Sequence, residues 1–258
     1  MRLATFNVNS VRQRVPHVKR FLERQKPDLL FLQETRCRAE EVPALEFEGL
    51  GYRVHAVGQR GGRNGVAVLG RVPFEVVAEA LPGEGEDTHA RYVEVAAEGI
   101  RAAGIYLPNG NSGGEDGFAY KLAWMDRLRD HARTLLAEER PVVLAGDWNV
   151  IPTDDPDDVF SARAMARDAL MQPESRAAFR RILHLGFTDA IRVRYPAGAV
   201  YTFWDYTAGC WQRDAGFRID HLLLSPQAAD RLLDAGVDKD YRGREKASDH
   251  APTWVAID

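Results

Sequence analysis

Short runs of purely apolar residues, closed by polar or turn residues, set the limits on what this chain can fold into. Leu29-Leu30-Phe31-Leu32 and Val142-Val143-Leu144-Ala145 are two of them. A strand with one wet face alternates apolar and polar side chains, whereas a short run without alternation suits a strand covered on both sides. By the same signals, strands are expected at Leu3 to Val8, Leu29 to Gln33, Tyr52 to Val57, Val66 to Leu69 and Arg91 to Ala96. Others are expected at Ile100 to Leu107, Val142 to Ala145, Ile219 to Leu224 and Thr253 to Ile257. Helical patterns lie between them. Val18, Phe21 and Leu22 form an apolar face after Pro16, a residue suited to a helix start. Phe118, Leu122, Met125, Leu128 and Ala132 recur at helical spacing in a long amphipathic helix. Ala177, Ile182 and Leu183 mark a third helix, stopped by Gly186.

At about 150 residues per domain, a chain of 258 residues leaves one large domain or two small ones open. No Ser/Gly linker, short-period repeat or low-complexity segment divides it, so a single α/β domain spanning 1–258 is expected. The 34 Lys and Arg against 38 Asp and Glu leave a net charge of −4, which excludes a protein that coats nucleic acid by bulk charge. A local basic groove for DNA stays open. No apolar run approaches the roughly 18 residues of a membrane span, and the N-terminal residues carry no signal-peptide core. Two cysteines, Cys37 and Cys210, cannot build a disulfide framework. These features predict a cytoplasmic protein without a membrane partner, its cysteines packed as small apolar groups.

One internal symmetry stands out. Leu3-Ala4-Thr5-Phe6-Asn7-Val8-Asn9 and Val143-Leu144-Ala145-Gly146-Asp147-Trp148-Asn149 are both buried-type strands ending in polar residues. Strand ends on a rigid sheet carry reactive side chains well. Two sheets with a site at their shared rim are the expected arrangement. Four polar segments qualify for that rim: Asn7, Gln33-Glu34-Thr35, Gly146-Asp147-Trp148-Asn149 and Ser248-Asp249-His250. Carboxylate and amide oxygens are hard donors that suit Mg²⁺, Mn²⁺ or Ca²⁺ better than zinc. Spacing alone carries the reading to a Mg²⁺-dependent hydrolase.

A set of segments in fixed order narrows it further. Ala4 to Arg12 and Leu32-Gln33-Glu34-Thr35 open the series, followed by Asn64-Gly65-Val66-Ala67-Val68 and Ile105-Tyr106-Leu107-Pro108-Asn109. Gly146 to Val150, Trp204-Asp205-Tyr206, Arg218-Ile219-Asp220-His221 and Ser248 to Pro252 complete it. In this order the chain resembles the exonuclease III family of abasic-site endonucleases over nearly its whole length. The resemblance implies a four-layer α/β sandwich of two packed mixed β-sheets flanked by helices. It also implies a Mg²⁺ cofactor, with Mn²⁺ as the alternative ion. Glu34 corresponds to the principal metal carboxylate, beside Asn7 and with Asp249 as a second carboxylate; Asp147, Asn149 and His250 complete the group around the ion. Asp147 is similar to the acid/base that deprotonates the attacking water, and Asn149 to the residue that holds the phosphate. His250, oriented by Asp220, would contact the scissile phosphate together with Tyr106. Asn109, Trp211 and Arg213 would touch DNA. A phosphodiester repels hydroxide, so its hydrolysis calls for a cation, a base and preorganised donors.

Other residues have plainer readings. His221 is expected to be a strand histidine with a satisfied ring. Gly61-Gly62-Arg63-Asn64-Gly65 reads as a turn before it reads as a phosphate cradle. Asp154-Asp155-Pro156-Asp157-Asp158 lacks calcium-loop spacing and reads as a solvated acidic loop. Trp204 reads as core. Trp211 divides between core and a wedge that fills the gap left by a missing base. Asn9 stands where some relatives carry Asp, which leaves a second metal position open. The predicted activity is incision of double-stranded DNA 5′ to abasic sites, leaving a 3′-hydroxyl, with trimming of 3′ ends and no obligate protein partner. Two alternatives remain: a same-fold phosphatase acting on an inositol lipid, and a non-catalytic lesion-binding relative.

Overall fold

A computed structural model describes residues 1–83 and 87–258. Among the described residues there are twelve strands: β1 (Arg2–Asn7), β2 (Leu29–Gln33), β3 (Arg53–Val57), β4 (Val66–Gly70), β5 (Glu75–Ala78), β6 (Tyr92–Ala97), β7 (Ile100–Tyr106), β8 (Val142–Asp147), β9 (Thr188–Asp189), β10 (Asp220–Leu224), β11 (Leu232–Val237) and β12 (Thr253–Ile257). They form two six-stranded sheets, ordered β11-β12-β1-β2-β4-β3 and β5-β6-β7-β8-β10-β9. Each sheet has one parallel pair, β1–β2 and β7–β8. The principal helices are α1 (Val11–Gln25), α2 (Ala44–Glu48), α3 (Gly114–Ala137), α4 (Ala162–Met165) and α5 (Pro173–Leu183).

The unbroken apolar runs now have their reason. In β2, Leu29 and Phe31 enter the core between the sheets, while Leu30 and Leu32 enter the core under α1 and α2. In β8, Val143 and Ala145 face the same inter-sheet core, while Val142 and Leu144 meet α3 and α5. Four layers result, helices outside and sheets inside, and each central strand is apolar on both faces because both faces are covered. The sheets pack tightly at Gly104 of β7. A Cβ there would lie 2.5 Å from the Phe31 ring, so this position is kept without a side chain.

Several sequence expectations need adjusting. Pro16 does not start α1 but sits inside it, after the helix has begun at Val11; its ring removes the bond to the Arg12 carbonyl. Strands β5, β9 and β11 carried no readable signal, all three being edge strands with half-exposed residues. Asp158 is not a solvated loop residue. It is buried, with Oδ1 accepting from Arg218 Nε (2.8 Å) and Arg192 Nη2 (2.6 Å) and Oδ2 from Thr153 (2.7 Å). Burial alone would raise its pKa, but the Arg218 guanidinium and these donors bring it down to about 2. Cys37 is core as expected, whereas Cys210 is only half-buried, on a cavity wall.

His221 on β10 is a satisfied core histidine. Its Nε2 lies 3.0 Å from the Val150 carbonyl and its Nδ1 3.0 Å from Arg218 Nη1, so Nδ1 accepts and Nε2 donates in a neutral ring. Burial first, and the Arg218 charge second, lower its pKa to about 4. The unfolded chain, with a histidine pKa of about 6.5, therefore takes up this proton first. Stability from this group is lost as pH falls from about 6.5 towards 4, by on the order of 3 kcal/mol. Urea denaturation of wild type and His221→Gln across that window should show their stability difference shifting by about this amount in favour of the variant. A pH-independent difference would mean that the ring is not held neutral.

Candidate active site

The symmetry seen in the sequence survives in three dimensions at the ends of β1 and β8, the paired central strands of the two sheets. Asn7 ends β1 and Asp147 ends β8. Two residues on, Asn9 (φ 43°) and Asn149 (φ 47°) both turn into the left-handed region. Each donates its backbone N–H back to the side chain two residues earlier, at 3.0 Å: Asn9 to Asn7 Oδ1, and Asn149 to Asp147 Oδ1. These matching turns stop both strands at one rim. There Asn7 Nδ2 donates to Asp147 Oδ2 (2.9 Å) and to Glu34 Oε1 (3.0 Å), tying together side chains from the two sheets.

Glu34 reaches this point from a strained connection after β2. Both Glu34 (φ 53°) and Arg36 (φ 52°) are left-handed, a conformation that non-glycine residues hold at a free-energy cost. Gly65 makes room for it. A Cβ at Gly65 would lie 2.0 Å from Thr35 Oγ1, and its own φ is +94°. The Glu34 carboxylate is mostly buried, which alone would raise its pKa; the Asn7 hydrogen bond and the Arg36 charge outweigh burial and lower it.

On the other side, antiparallel pairing of β8 with β10 places Asp147 directly opposite Asp220. Like charges across a strand pair repel, and both groups are buried. His250 answers them: its Nδ1 lies 2.8 Å from Asp220 Oδ2 and its Nε2 3.8 Å from Asp147 Oδ2. Burial would lower the His250 pKa, but the Asp220 and Asp147 charges override it and raise it. The Asp147 pKa is raised, chiefly by burial and further by Asp220 and Glu34, against the pull of His250 and Asn7. The reactive atoms of Asp147, Asp220 and His250 lie within 4.8 Å of one another, close enough to suggest a metal among them. Without an ion, Asp220 and Asp147 hold a proton on His250, which makes the ring a proton donor beside the carboxylates.

The remaining residues line a shared cavity of about 680 Å³, into which Glu34, Tyr106, Asn109, Asp147, Asn149, Asp249 and His250 all open. Asn149 Oδ1 accepts from Asn109 Nδ2 (3.0 Å), and its Nδ2 donates to the Leu107 carbonyl (2.9 Å). Beneath both, the buried Lys121 of α3 donates Nζ to the Asn109 and Asn149 carbonyls (3.0 and 2.5 Å). Burial lowers its pKa to about 7, against the charges of Asp147 and Asp168. Tyr106 lies opposite Asp147 on β7, its ring under Arg91 (4.7 Å). Asp249 Oδ1 accepts from Asn9 Nδ2 (3.0 Å). Apolar side chains, among them Val159, Met165, Phe203 and Phe217, form the far wall. Phe203 stacks on Phe217 and meets the His250 ring edge-on.

The DNA-contact residues divide. Arg213 and Asn109 line the cavity. Trp211 does not; its indole packs edge-on against Trp204 (5.3 Å), beneath Lys239 and Arg242. The aromatic exposed at the cavity is Phe160, 50% accessible. Neither it nor Lys121 nor Arg36 was singled out from sequence. A lone Phe in the polar stretch Asp157-Asp158-Val159-Phe160-Ser161-Ala162-Arg163 was the available signal for the first.

The donor set suits a hard divalent cation. Glu34, Asp147 and Asp249 present carboxylate oxygens to one cavity, with Asn149 beside them and no cysteine among them except Cys210 on the distant wall. Glu34 also already holds a positive partner, the Arg36 guanidinium.

The sequence profile of the endonuclease/exonuclease/phosphatase family matches residues 4–250. Exodeoxyribonuclease III of Haemophilus influenzae is 30% identical over 265 residues, covering 99% of this chain and 99% of its own. Among solved structures, an AP endonuclease from Archaeoglobus fulgidus superposes with a TM-score of 0.94 at 35% identity, over 100% of this chain and 99% of that one. A 3′-5′ exonuclease from Neisseria meningitidis superposes with a TM-score of 0.94 at 34% identity, over 100% of both chains.

Two substitutions test the electrostatics. Asp220→Asn removes one of the two charges that hold the His250 proton, so the His250 pKa should fall by about one unit or more in an NMR titration of the metal-free protein. An unchanged value would remove Asp220 from that role. Lys121→Met leaves two buried carbonyls without a donor and should lower stability by about 2–4 kcal/mol in urea denaturation. A loss under ~0.5 kcal/mol would mean that the ammonium does not hold this loop.

Proposed function

The chain belongs to the endonuclease/exonuclease/phosphatase family and is a hydrolytic DNA-repair nuclease, and we propose that it incises duplex DNA 5′ to abasic sites, leaving a 3′-hydroxyl, and also trims 3′ ends. One observation carries the reading. A single amide, that of Asn7, bridges Glu34 and Asp147 at 3.0 and 2.9 Å, beside a histidine charged by Asp220. An anion-binding cation, a base and a proton donor therefore fit around one phosphate.

Glu34 and Asp249 would hold a divalent cation, with Asn7 fixing the orientation of Glu34 and Asn149 close by. When bound, such an ion neutralises charge developing on the phosphoryl group and its leaving oxygen. Asp147 takes the proton from the attacking water. Its raised pKa makes it a better base near neutral pH than an ordinary carboxylate. His250, protonated, donates to a phosphoryl oxygen, and Asn149 and Tyr106 orient that group from the opposite side. Asn109 locks the Asn149 amide so that its nitrogen does not need to reorganise.

The apolar wall of Phe203, Phe217, Val159 and Met165 supports an abasic substrate. A deoxyribose without its base can enter a cavity that a paired nucleotide would fill only after being pulled from the stack. At the cavity mouth, Phe160 is placed to cover the gap in the stack, the role expected of Trp211. Arg213, on the same wall, is available to a backbone phosphate.

The test is a duplex containing one stable abasic analogue, incubated with Mg²⁺ or with EDTA. Incision is expected only with Mg²⁺. Asp147→Asn should slow it about 10²–10⁴-fold while binding in a gel shift persists. Equal incision in EDTA would sink the metal role. Turnover of an inositol-lipid phosphate without DNA incision would favour the same-fold phosphatase. Binding without cleavage in both wild type and variant would favour a lesion-marking protein.

A further inference from the structure

The geometry points to Arg36 as a displaceable counter-ion: it neutralises Glu34 while no divalent cation is bound, and it turns onto a DNA phosphate when a cation takes Glu34, so that cation and DNA bind with positive coupling. This rests on the reading that Glu34 holds the metal.

The hydrogen bonds place the guanidinium in a cation's path. Glu34 Oε1 is taken by Asn7 (3.0 Å). Oε2 receives both Arg36 Nε (2.8 Å) and Arg36 Nη2 (2.5 Å). A divalent ion that binds Glu34 through its outward oxygen must therefore compete with the guanidinium. The competition is winnable, because the Arg36 side chain is 46% exposed while Glu34 is only 15% exposed. A half-exposed ion pair contributes little by itself, whereas a divalent ion concentrates twice the charge on the same oxygen.

The displaced guanidinium has a restricted set of places to go. The Arg36 backbone is pinned, its N–H donating to the Asn64 carbonyl at 2.9 Å in a left-handed turn. The side chain must stay in the adjoining polar cleft of about 700 Å³, whose walls include Arg63, Arg91 and His89. Among the described residues, Glu34 is the only acidic side chain lining this cleft. Once Glu34 is occupied, Arg36 has no other carboxylate among the described residues lining that cleft. It stands beside like charges that favour an incoming polyanion, and guanidinium pairs well with phosphate. DNA binding and cation binding then assist each other, and by linkage the assistance is reciprocal.

Two measurements test this in the metal-free protein and its Arg36→Gln variant. Mn²⁺ binding, followed by electron paramagnetic resonance of the free ion, should tighten in Arg36→Gln by about fivefold or more, within the usual range of site coupling. Affinity for a duplex with a stable abasic analogue, measured by fluorescence anisotropy in EDTA and in Ca²⁺ with the duplex verified intact on a gel, should rise with Ca²⁺ in wild type. That rise should be largely lost in Arg36→Gln and partly kept in Arg36→Lys. Unchanged or weaker Mn²⁺ binding in Arg36→Gln, or an undiminished gain in DNA affinity, overturns the inference. Glu34→Gln separates the two levels of the argument: Mn²⁺ binding that survives it intact overturns the metal reading, and with it the role of Arg36.

Discussion

Burying carboxylates next to one another is the constraint on which this molecule turns. Asp147 and Asp220 face each other across β8 and β10 in a dry interior, with Glu34 one shared amide away. Left alone, such a group would take up protons until its charges were gone, since burial and mutual repulsion act in the same direction. The raised Asp147 pKa is the residue of that tendency. Three cationic or donating groups offset this charge: the His250 ring, the Asn7 amide and the Arg36 guanidinium. The site thus stores an electrostatic imbalance that a divalent cation and a phosphate are suited to relieve, and this is the preorganisation that catalysis of phosphodiester hydrolysis requires.

The two-sheet architecture makes the imbalance tolerable. Strands β1 and β8 occupy equivalent places in their sheets, each parallel to one neighbour and antiparallel to the other. Their apolar residues fill three cores, and each strand ends in a polar residue at the rim. The free energy of that apolar burial holds the rim in place, so the polar residues there need not be arranged for stability. The matching turns at Asn9 and Asn149 end both strands abruptly, and Lys121 anchors the second of them from below. Function is concentrated where the cores end.

How much of this was written plainly in the sequence follows from which forces are local. Strands buried on both faces announce themselves as unbroken apolar runs, and β2 and β12 were bounded to the residue. Edge strands such as β5 and β11, with one face wet and Asp or Glu among their residues, gave no such signal. Asn7, Glu34 and Asp147 were legible as polar residues closing apolar strands and Asp249 and His250 as a polar pair just before the last strand, while their roles came from the family resemblance. Arg36, Lys121 and Asp158 were not, because ordinary Arg, Lys and Asp in polar surroundings look solvated until a distant partner is known: Glu34 aside, those partners lie tens of residues away. Trp211 stayed divided between two readings for the complementary reason. An aromatic in a basic loop reads equally as wedge or as core, and only the position of Trp204 and Gly243 decides that this one lies down.

The charge distribution then explains how a chain with a net charge of −4 can approach DNA. Repulsion at long range is weak at physiological salt, because screening acts within about 8–10 Å. What matters is the potential inside the cleft, where Arg36, Arg63 and Arg91 stand together and, among the described residues lining it, only Glu34 opposes them. A cation on Glu34 would reverse the sign of that one opposing group. The cleft on one side of Glu34 would then be more positive, and the cavity on the other side would offer aromatic walls to a sugar. Backbone charge is read in the first and the absence of a base in the second, so selectivity needs no contact with base edges at all.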